Sequence, residues 1–214
     1  MNNKGLFGDK VISSIGFDED EIIRDLLYLH SENKKIDLDP TYSIGNFYKS
    51  KRVPNPTWRI DINPQVKGVM KGDSGDLNMI DDDKLLTIMF DPPFVMSGKT
   101  KPGKISTRFS SFEDFDELKE MYTRSLMEFY RILKKKGIVI FKCQDVVRGR
   151  KQYFTHAWVM QQAVQIGFYP LDLKILLAKN RMINMTNQQH CRKFHCYYWV
   201  FLKSDRSTHY YSYL

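Results

Sequence analysis

The residues best suited to chemistry in this sequence stand where a short apolar run stops. Leu85–Phe90 is almost wholly apolar, which is typical of a strand buried on both faces of a parallel sheet. Asp91, Pro92, Pro93 and Phe94 follow directly, and prolines end a strand because they cannot donate to its ladder. A carboxylate and carbonyls held at this end of a strand can accept hydrogen bonds from a ligand, since ligands of open α/β sheets bind there. The alternative is a strand-ending turn in which Asp91 is only a helix cap.

Asp-Pro-Pro-Phe at 91–94 resembles the catalytic tetrapeptide of the class I S-adenosylmethionine-dependent DNA amino-methyltransferases, which methylate adenine N6 or cytosine N4. The resemblance implies that the Asp91 carboxylate and the Pro92 carbonyl accept the two hydrogens of the target amine. The nitrogen lone pair, otherwise conjugated with the ring, would then be free to attack, and Phe94 would stack on the flipped-out base. The methyl group is already activated, so no metal is needed and positioning and electrostatics carry the rate.

A second segment, from Asp39 to Gly45, matches the frame of the family's cofactor loop, Asp/Glu-Pro-Phe-x-Gly-x-Gly. Asp39, Pro40 and Gly45 fit this frame, and Gly45 would allow a close approach between the backbone and a ligand. Thr41 replaces the usual Phe, and Ser43 replaces the first Gly, which puts a side chain where the family's backbone approaches the cofactor. An ordinary Asp-Pro turn is the alternative.

Two further acids follow short predicted strands in the same half of the chain. Asp61 stands near the end of the strand predicted over 57–63, and the resemblance implies that its two oxygens accept hydrogen bonds from both ribose hydroxyls. Gly72-Asp73 matches the family's third strand end, where an acid meets the adenine amino group, with Asp76 as the reserve candidate. For Asp61 the alternative is a turn before Pro64.

The net charge of +8 is unevenly distributed along the chain. Residues 1–91 hold 12 Lys/Arg and 16 Asp/Glu, a net charge of −4, whereas residues 92–214 hold 21 Lys/Arg and 9 Asp/Glu, a net charge of +12. The negative charge of the first half is explained if its acids surround the cationic sulfonium of S-adenosylmethionine. The positive charge of the second half is explained if it binds a nucleic acid. A solvated basic surface or loop is the alternative. The predicted phosphate contacts lie on a lid within residues 95–111 and on a facing rim: Lys99, Lys101, Lys104 and Arg108, then Arg148, Arg150 and Lys151.

The surrounding pattern predicts an α/β fold, a doubly wound, mostly parallel seven-stranded sheet with helices on both faces, and the resemblance implies an antiparallel last strand. A helix opens at residues 18–21, a long helix is capped by Ser111 and ends at Lys134–Lys136 before Gly137, and a third covers 155–166. Strands are predicted over 138–143, 171–177 and 194–203. The expected organisation is an N-terminal arm (1–16), a single methyltransferase domain (17–204) and a tail (205–214), without a separate target-recognition domain.

Composition excludes several classes of protein. The chain of 214 residues, 42% apolar, can bury a full core and has no run long enough to span a membrane. Three cysteines and the lack of a signal-peptide pattern indicate a reducing, intracellular (cytoplasmic) site. No metal is expected, because the consecutive His195 and Cys196 would point to opposite faces of a strand.

These features predict a methyltransferase that acts on adenine N6 in DNA, with relaxed or short sequence specificity or with a protein partner that supplies it. Cytosine N4 stays open as the target. The alternatives are methylation of an amino group in RNA and a catalytically inactive nucleic-acid-binding protein that keeps the fold. Methylation of a protein amide is disfavoured, because that group resembles Asn-Pro-Pro-Tyr.

Overall fold

The computed structural model describes residues 11–94, 112–179 and 190–204. Three α-helices lie in these ranges: α1 (Glu19–His30), α2 (Phe115–Ile132) and α3 (Thr155–Ile166). Strands in the same ranges, numbered in chain order, are β1 (Ile15–Gly16), β2 (Leu38–Asp39), β3 (Trp58–Asp61), β4 (Met70–Lys71), β5 (Leu85–Phe90), β6 (Leu133–Cys143), β7 (Val146–Arg148), β8 (Lys151–Tyr153), β9 (Phe168–Leu177) and β10 (His195–Lys203). None of the helices in this part of the chain is long and apolar enough to cross a membrane.

Eight strands form the main sheet, in the order β1-β9-β10-β6-β5-β2-β3-β4. β10 runs antiparallel to both of its neighbours, β6 and β9, whereas the other neighbouring pairs are parallel. The predicted doubly wound sheet with a reversed last strand is therefore confirmed. The eighth strand, β1, comes from the last two residues of the predicted N-terminal arm, where Ile15 pairs with Ile175. β7 and β8 form a separate antiparallel hairpin.

The position of the site follows from the strand order. From β2 the chain moves outward through β3 to β4, and it then crosses to β5 and β6 on the other side of β2. Such a reversal of strand order opens a crevice at the carboxyl ends of the two central strands, and this crevice is the usual ligand site of doubly wound sheets. Residues 39–45 leave β2 at this point, and residues 91–94 leave β5 beside them.

Both faces of the central strands are buried, as the apolar run predicts. Phe90 and Phe141 face the cluster that α2 and α3 cover, and Met89 and Ile140 face the cluster that α1 covers. All four side chains have no exposed surface. Burying a side chain of this size contributes about 1.5–3 kcal/mol, so the strand ends at the crevice rest on a rigid core.

Helix α2 begins later than the sequence pattern predicts. Its N-cap is Asp114, whose Oδ1 accepts the N–H groups of Asp116 (2.9 Å) and Glu117 (3.0 Å). The predicted cap, Ser111, lies outside the described residues. Asp114 satisfies two of the free N–H groups of the first turn, so the helix starts where those groups find an acceptor.

The end of α2 is also corrected. The helix stops at Ile132, and Lys134–Lys136 lie at the start of β6 rather than in the last helical turn. They bulge from the pairing with β5, where Leu85 opposes Leu133 but Thr87 already opposes Ile138. Gly137 is required by this bulge and not by a helix stop, because a Cβ there would lie 2.8 Å from the carbonyl oxygen of Lys134.

The other two helices lie close to their predicted bounds. α1 is capped by Asp18, which accepts the N–H of Glu21 at 3.0 Å. The buried stripe of α3 is Thr155, Val159 and Ala163. Ala157, Met160 and Val164 are only partly buried, because Thr155 at the start of the helix sets a stripe of i, i+4 spacing.

Candidate active site

Asp91 occupies the carboxyl end of β5, at the crevice between the two central strands. Its backbone N–H donates to Thr41 Oγ1 at 2.9 Å, so the strand end is tied to the loop that follows β2. Its carboxylate Oδ2 accepts from Lys142 Nζ at 3.1 Å. No described residue binds Oδ1, and 24% of the side chain is exposed. Within the described residues, one oxygen is thus fixed by a hydrogen bond and the other is not.

The tetrapeptide after β5 is held in place by a hydrogen bond from helix α2. Tyr122 of α2 donates its hydroxyl to the carbonyl of Pro93 at 2.9 Å, and its ring is fully buried against Phe90 and Phe141. No described residue donates to the Pro92 carbonyl. This hydrogen bond therefore holds the second proline, whereas the carbonyl of the first, beside Asp91, has no donor among the residues that the structure describes.

Thr41, which departs from the family frame, links the two strand ends. Its N–H and its hydroxyl both meet Asp39 Oδ1, at 2.9 and 3.3 Å, while its Oγ1 accepts the Asp91 N–H. The second oxygen of Asp39 accepts from the Tyr48 hydroxyl at 2.7 Å. Burial raises the pKa of Asp39 to about 7, despite the hydrogen bonds from Tyr48 and Thr41. Asp39 is thus buried at the start of the loop after β2, where its carboxylate accepts hydrogen bonds from Thr41 and Tyr48 of this protein.

The loop after β2 turns through two residues with positive φ, Ser43 (51°) and Gly45 (66°). A Cβ at Gly45 would lie 2.6–2.8 Å from the Tyr42 ring and hydroxyl, so only glycine fits there. Ser43 Oγ is buried and has no hydrogen-bond partner among the described residues. Pro40 is buried at the start of the loop. A buried polar atom without a partner is unusual, and it marks this loop as a place where a ligand can supply one.

Asp61 connects the end of β3 with the same loop. Its Oδ2 accepts the N–H of Ser43 at 2.7 Å, and its Oδ1 accepts the N–H of Asn63 at 2.8 Å. The side chain is partly exposed, and each carboxylate oxygen keeps a further lone pair. Asp61 therefore stands at the crevice with a fixed orientation, next to the unpaired Ser43 hydroxyl.

Asp73 lies one strand further out, after β4, and is held by helix α2. Its Oδ2 pairs with Arg124 at 3.2 Å, and its Oδ1 accepts the N–H of Gly75 at 2.8 Å. The side chain is 37% exposed. Asp76, the reserve candidate, is exposed and receives a hydrogen bond from Asn78. The acids of β2, β3, β4 and β5 thus follow the carboxyl ends of neighbouring strands, in the order that the sequence predicts.

Three residues that the sequence analysis did not assign to the site form a chain of contacts that reaches Asp91 through Lys142. Lys142, on β6 beside β5, contacts Glu19 Oε1 at 2.7 Å as well as Asp91 Oδ2. Glu19 is the first residue of α1, and it also accepts a hydrogen bond from the Tyr198 hydroxyl. A lysine within the apolar run Ile138–Cys143 was the available signal, because a buried charge must be paired. Its partners could not be read from the sequence.

Asp145 lies just beyond the end of β6 and is held by the start of α3. Its Oδ1 accepts from the backbone N–H of His156 at 3.2 Å and meets His156 Nδ1 at 2.7 Å. The hydrogen bond from His156, together with the charge of that side chain, lowers the pKa of Asp145, although burial opposes the shift. This acid fixes the start of α3, and the Tyr197 ring stacks on the imidazole at 4.2 Å.

The predicted basic rim coincides with the hairpin β7–β8. Arg150 and Lys151 are exposed at its tip, whereas Arg148 is partly buried and donates to the carbonyl of Glu113. The Lys151 ammonium lies 5.2 Å from the centre of the Tyr153 ring. The predicted lid residues, Lys99, Lys101, Lys104 and Arg108, lie outside the described residues.

Comparison with known proteins gives likenesses in structure. No protein-family model and no curated protein matches this chain. TTHA0409 of Thermus thermophilus, a proposed DNA modification methylase crystallised with S-adenosyl-L-methionine, is similar over 64% of this chain and 55% of its own, with 20% identity and a TM-score of 0.46. The cytosine-N4-specific PvuII DNA methyltransferase is similar over 63% of this chain and 48% of its own, with 14% identity and a TM-score of 0.49.

A third similar structure is a proposed methyltransferase from Haloferax volcanii, crystallised with the Trm112 methyltransferase activator. It is similar over 89% of this chain and 95% of its own, with 14% identity and a TM-score of 0.49. This chain spans about half the length of TTHA0409 and of PvuII. At such identities the likenesses concern the fold, and the function has to be argued from the residues of the crevice.

Proposed function

We propose that this protein is an S-adenosylmethionine-dependent methyltransferase that acts on the exocyclic amino group of a nucleic-acid base, with adenine N6 in DNA as the first candidate. The observation that carries the proposal is the pair of acceptors at the strand crossover, Asp91 Oδ1 and the Pro92 carbonyl, to which no residue in the described part of the chain donates. They belong to the Asp-Pro-Pro-Phe segment, and Tyr122 and Lys142 hold the groups beside them.

The two acceptors suit an amine because it has two hydrogens. Asp91 Oδ1 takes one hydrogen and the Pro92 carbonyl takes the other, which draws the nitrogen away from planar conjugation and frees its lone pair. A negative carboxylate also stabilises the positive charge that develops on nitrogen during transfer. Phe94, partly exposed after Pro93, offers the ring on which the base rests.

The loop after β2 and the end of β3 fit the cofactor. Ser43 Oγ is a buried atom without a partner among the described residues, Gly45 allows close approach, and Asp61 keeps lone pairs for ribose hydroxyls. Asp39 and Pro40 hold this loop from beneath, and Asp73 is the candidate for the adenine amino group. When bound, S-adenosylmethionine supplies a methyl group on a sulfonium, so that one carbon–sulfur bond breaks, one carbon–nitrogen bond forms and the amine releases one proton.

Methyl transfer itself is the decisive experiment. The protein is incubated with tritiated S-adenosylmethionine and a panel of random-sequence duplex DNA, single-stranded DNA, RNA and unfolded protein, and the labelled base is identified after digestion. We expect label in DNA as N6-methyladenine. Label in cytosine would move the target to N4, and label in RNA alone would favour the RNA alternative. Label in none of them, with cofactor binding intact by calorimetry, would favour a binding protein that keeps the fold.

Tyr122 offers a clean test of how the tetrapeptide is held. Tyr122→Phe keeps the buried ring and removes only the hydroxyl that donates to Pro93. A neutral hydrogen bond contributes about 0.5–1.5 kcal/mol, so we expect a rate loss of about two- to tenfold, with cofactor affinity unchanged. Tyr130→Phe on the same helix is the control. Equal rates for the wild type and Tyr122→Phe would show that the segment is held without this bond.

The nucleic acid partner is tested at the hairpin rim. If Arg150 and Lys151 each contact a phosphate, changing both to Ala should reduce the slope of log affinity against log salt by about 2, since each contact on duplex contributes about 0.9. The loss should be equal for all duplex sequences, because phosphates carry no base information. The control is Lys134→Ala with Lys136→Ala, two exposed lysines at the far end of β6. Equal slopes for the wild type and the rim variant would remove the rim from the interface.

A further inference from the structure

Lys142 is a buried charge in a strand that is otherwise apolar. Only 8% of the residue is exposed, and its neighbours in the strand, Phe141 and Cys143, are fully buried. The rings of Phe47 and Tyr198 lie 5.2 and 5.8 Å from its Nζ. A charge placed in such surroundings is costly unless it is paired, so the residue needs a reason beyond packing.

The reason lies in its two partners. Lys142 Nζ lies 2.7 Å from Glu19 Oε1 and 3.1 Å from Asp91 Oδ2, so one cation bridges two carboxylates from different elements. Burial alone would lower the pKa of Lys142, but Asp91 and Glu19 together raise it. The lysine therefore stays protonated between the two carboxyl groups, next to the crevice.

The neighbours of Asp91 shift the pKa of its carboxyl in opposite directions. Burial raises the pKa of its carboxyl, Lys142 lowers it, and Glu19 raises it again. A protonated Asp91 would be a poorer acceptor for an amine hydrogen and would stabilise no developing positive charge. Burial is the larger effect, so the pKa of Asp91 is raised from its ordinary value, and the cation beside Oδ2 opposes that rise and favours the ionised form.

We propose that Lys142 is a positioning residue that holds Asp91 ionised, with Oδ2 fixed and Oδ1 facing the substrate, and that Glu19 limits how much of the lysine's charge Asp91 receives. The role of Oδ1 toward an amine rests on the proposed function, whereas the hold of Lys142 on the charge of Asp91 does not. Glu19 begins α1, so the arrangement also connects this helix with the reacting group.

Other titratable groups surround Asp91, and one of them titrates near neutral pH. Burial raises the pKa of Asp39 to about 7, so its titration must be separated from that of Asp91. Burial raises the pKa of Cys196 to about 11. Burial also raises the pKa of Tyr48, Tyr122 and Tyr198 well above the ordinary value of tyrosine, so these groups stay neutral. The groups that act on Asp91 or on its partners are Asp39 after β2, Tyr48, Tyr122 of α2, and Cys196 and Tyr198 of β10.

The first readout is the pH dependence of methyl transfer. The acid limb is the fall in the rate of methyl transfer as the pH is lowered and Asp91 becomes protonated. In Lys142→Met the midpoint of this limb should move to higher pH by about one to three units, the usual effect of losing an opposite charge at this distance. In Glu19→Gln the limb should move the other way, because a competing carboxylate is lost while the hydrogen bonds to Lys142 and Tyr198 can persist. Lys142→Arg should restore the position of the limb even if it does not restore the full rate.

A matched control is available two strands away from β6 in the same sheet. Lys174 of β9 is as deeply buried as Lys142 and pairs with Asp25 of α1, but it does not contact Asp91. Lys174→Met should lower stability without moving the acid limb. Asp39→Asn, assayed in the same way, identifies any limb that belongs to Asp39.

The second readout needs no activity. The ¹³C carboxyl shift of Asp91, assigned by its loss in Asp91→Asn, is titrated in the wild type, Lys142→Met and Glu19→Gln. We expect a midpoint shifted upward in the first variant and downward in the second. Unchanged midpoints in both would overturn the inference, even if methyl transfer is observed. Shifted midpoints in a protein without methyl transfer would retain the inference and reject the proposed function. If Lys142→Met does not fold, Glu19→Gln decides alone.

Discussion

Replacing Asp91 by Ala is expected to reduce methyl transfer at least about a hundredfold, the scale on which a single preorganised electrostatic contact acts in an enzyme. The variant loses the acceptor for one amine hydrogen and the negative charge that faces the developing cation. Cofactor affinity should stay within a few fold, because the loop after β2 and Asp61 keep their own hydrogen bonds. The measurements are single-turnover transfer rates and calorimetric titration of the cofactor.

Two further variants separate charge from structure. Asp91→Asn keeps an acceptor oxygen and loses the charge, so it should retain more activity than Asp91→Ala. Asp81→Ala removes an acid whose side chain is 87% exposed at the other end of the sheet, and it should leave the rate unchanged. Because Asp91→Ala leaves Lys142 with Glu19 as its partner, thermal unfolding must show that the variant is folded. A folded Asp91→Ala protein that keeps a tenth of the wild-type rate would reject Asp91 as the acceptor.

The architecture could be predicted because its signals are local. The runs Leu85–Phe90 and Ile138–Cys143 are apolar on both faces, and only a strand covered on two sides buries both. Their polar ends, at Asp91 and Gln144, mark the edge where the crevice opens. The reversed last strand was expected from the resemblance, because the family's sheet ends in an antiparallel pair. The connection before this strand indicates only that the pair is not a tight hairpin.

The contacts that shape the site could not be predicted, because they join distant parts of the chain. Lys142 meets Glu19 across 123 positions, and Thr41 meets the Asp91 N–H across 50 positions. Such contacts depend on strand register, and a shift by one residue would turn each side chain to the other face. Thr41 illustrates the point: as a sequence it is a departure from a family pattern, whereas in the structure its hydroxyl joins the two central strand ends.

Local misjudgements have local causes. Ser111 and Asp114 both suit an N-cap, and the choice between them depends on which N–H groups the fold leaves free. Lys134–Lys136 suit the negative end of a helix, yet the pairing of Leu133 with Leu85 already places the chain in the sheet. The short strand β1 has no pattern of its own, since two residues on β9 define it.

Asp61→Ala is expected to weaken cofactor binding by about 1.5–3 kcal/mol, or about 10- to 150-fold, the range of hydrogen bonds to a charged group. The structure adds a second route to the same loss, because Asp61 Oδ2 also holds the N–H of Ser43. The variant could therefore bind weakly through a lost ribose contact or through a loosened loop. Calorimetry with S-adenosylhomocysteine measures the sum of these two effects, and Asp81→Ala, which removes an exposed acid outside the crevice, serves as the control.

A thermodynamic cycle with the ligand separates the two routes. The 2′-deoxy and 3′-deoxy analogues of S-adenosylhomocysteine each lack one ribose hydroxyl. If Asp61 accepts from these hydroxyls, the wild type should lose affinity for the analogues, whereas Asp61→Ala should lose little more, because the partner is already gone. If Asp61 acts only through Ser43, both proteins should lose the same factor on each analogue. Equal losses would show that Asp61 does not bind the ribose hydroxyls. Its role would then be the hydrogen bond from the Ser43 N–H, which holds the loop after β2 against the end of β3.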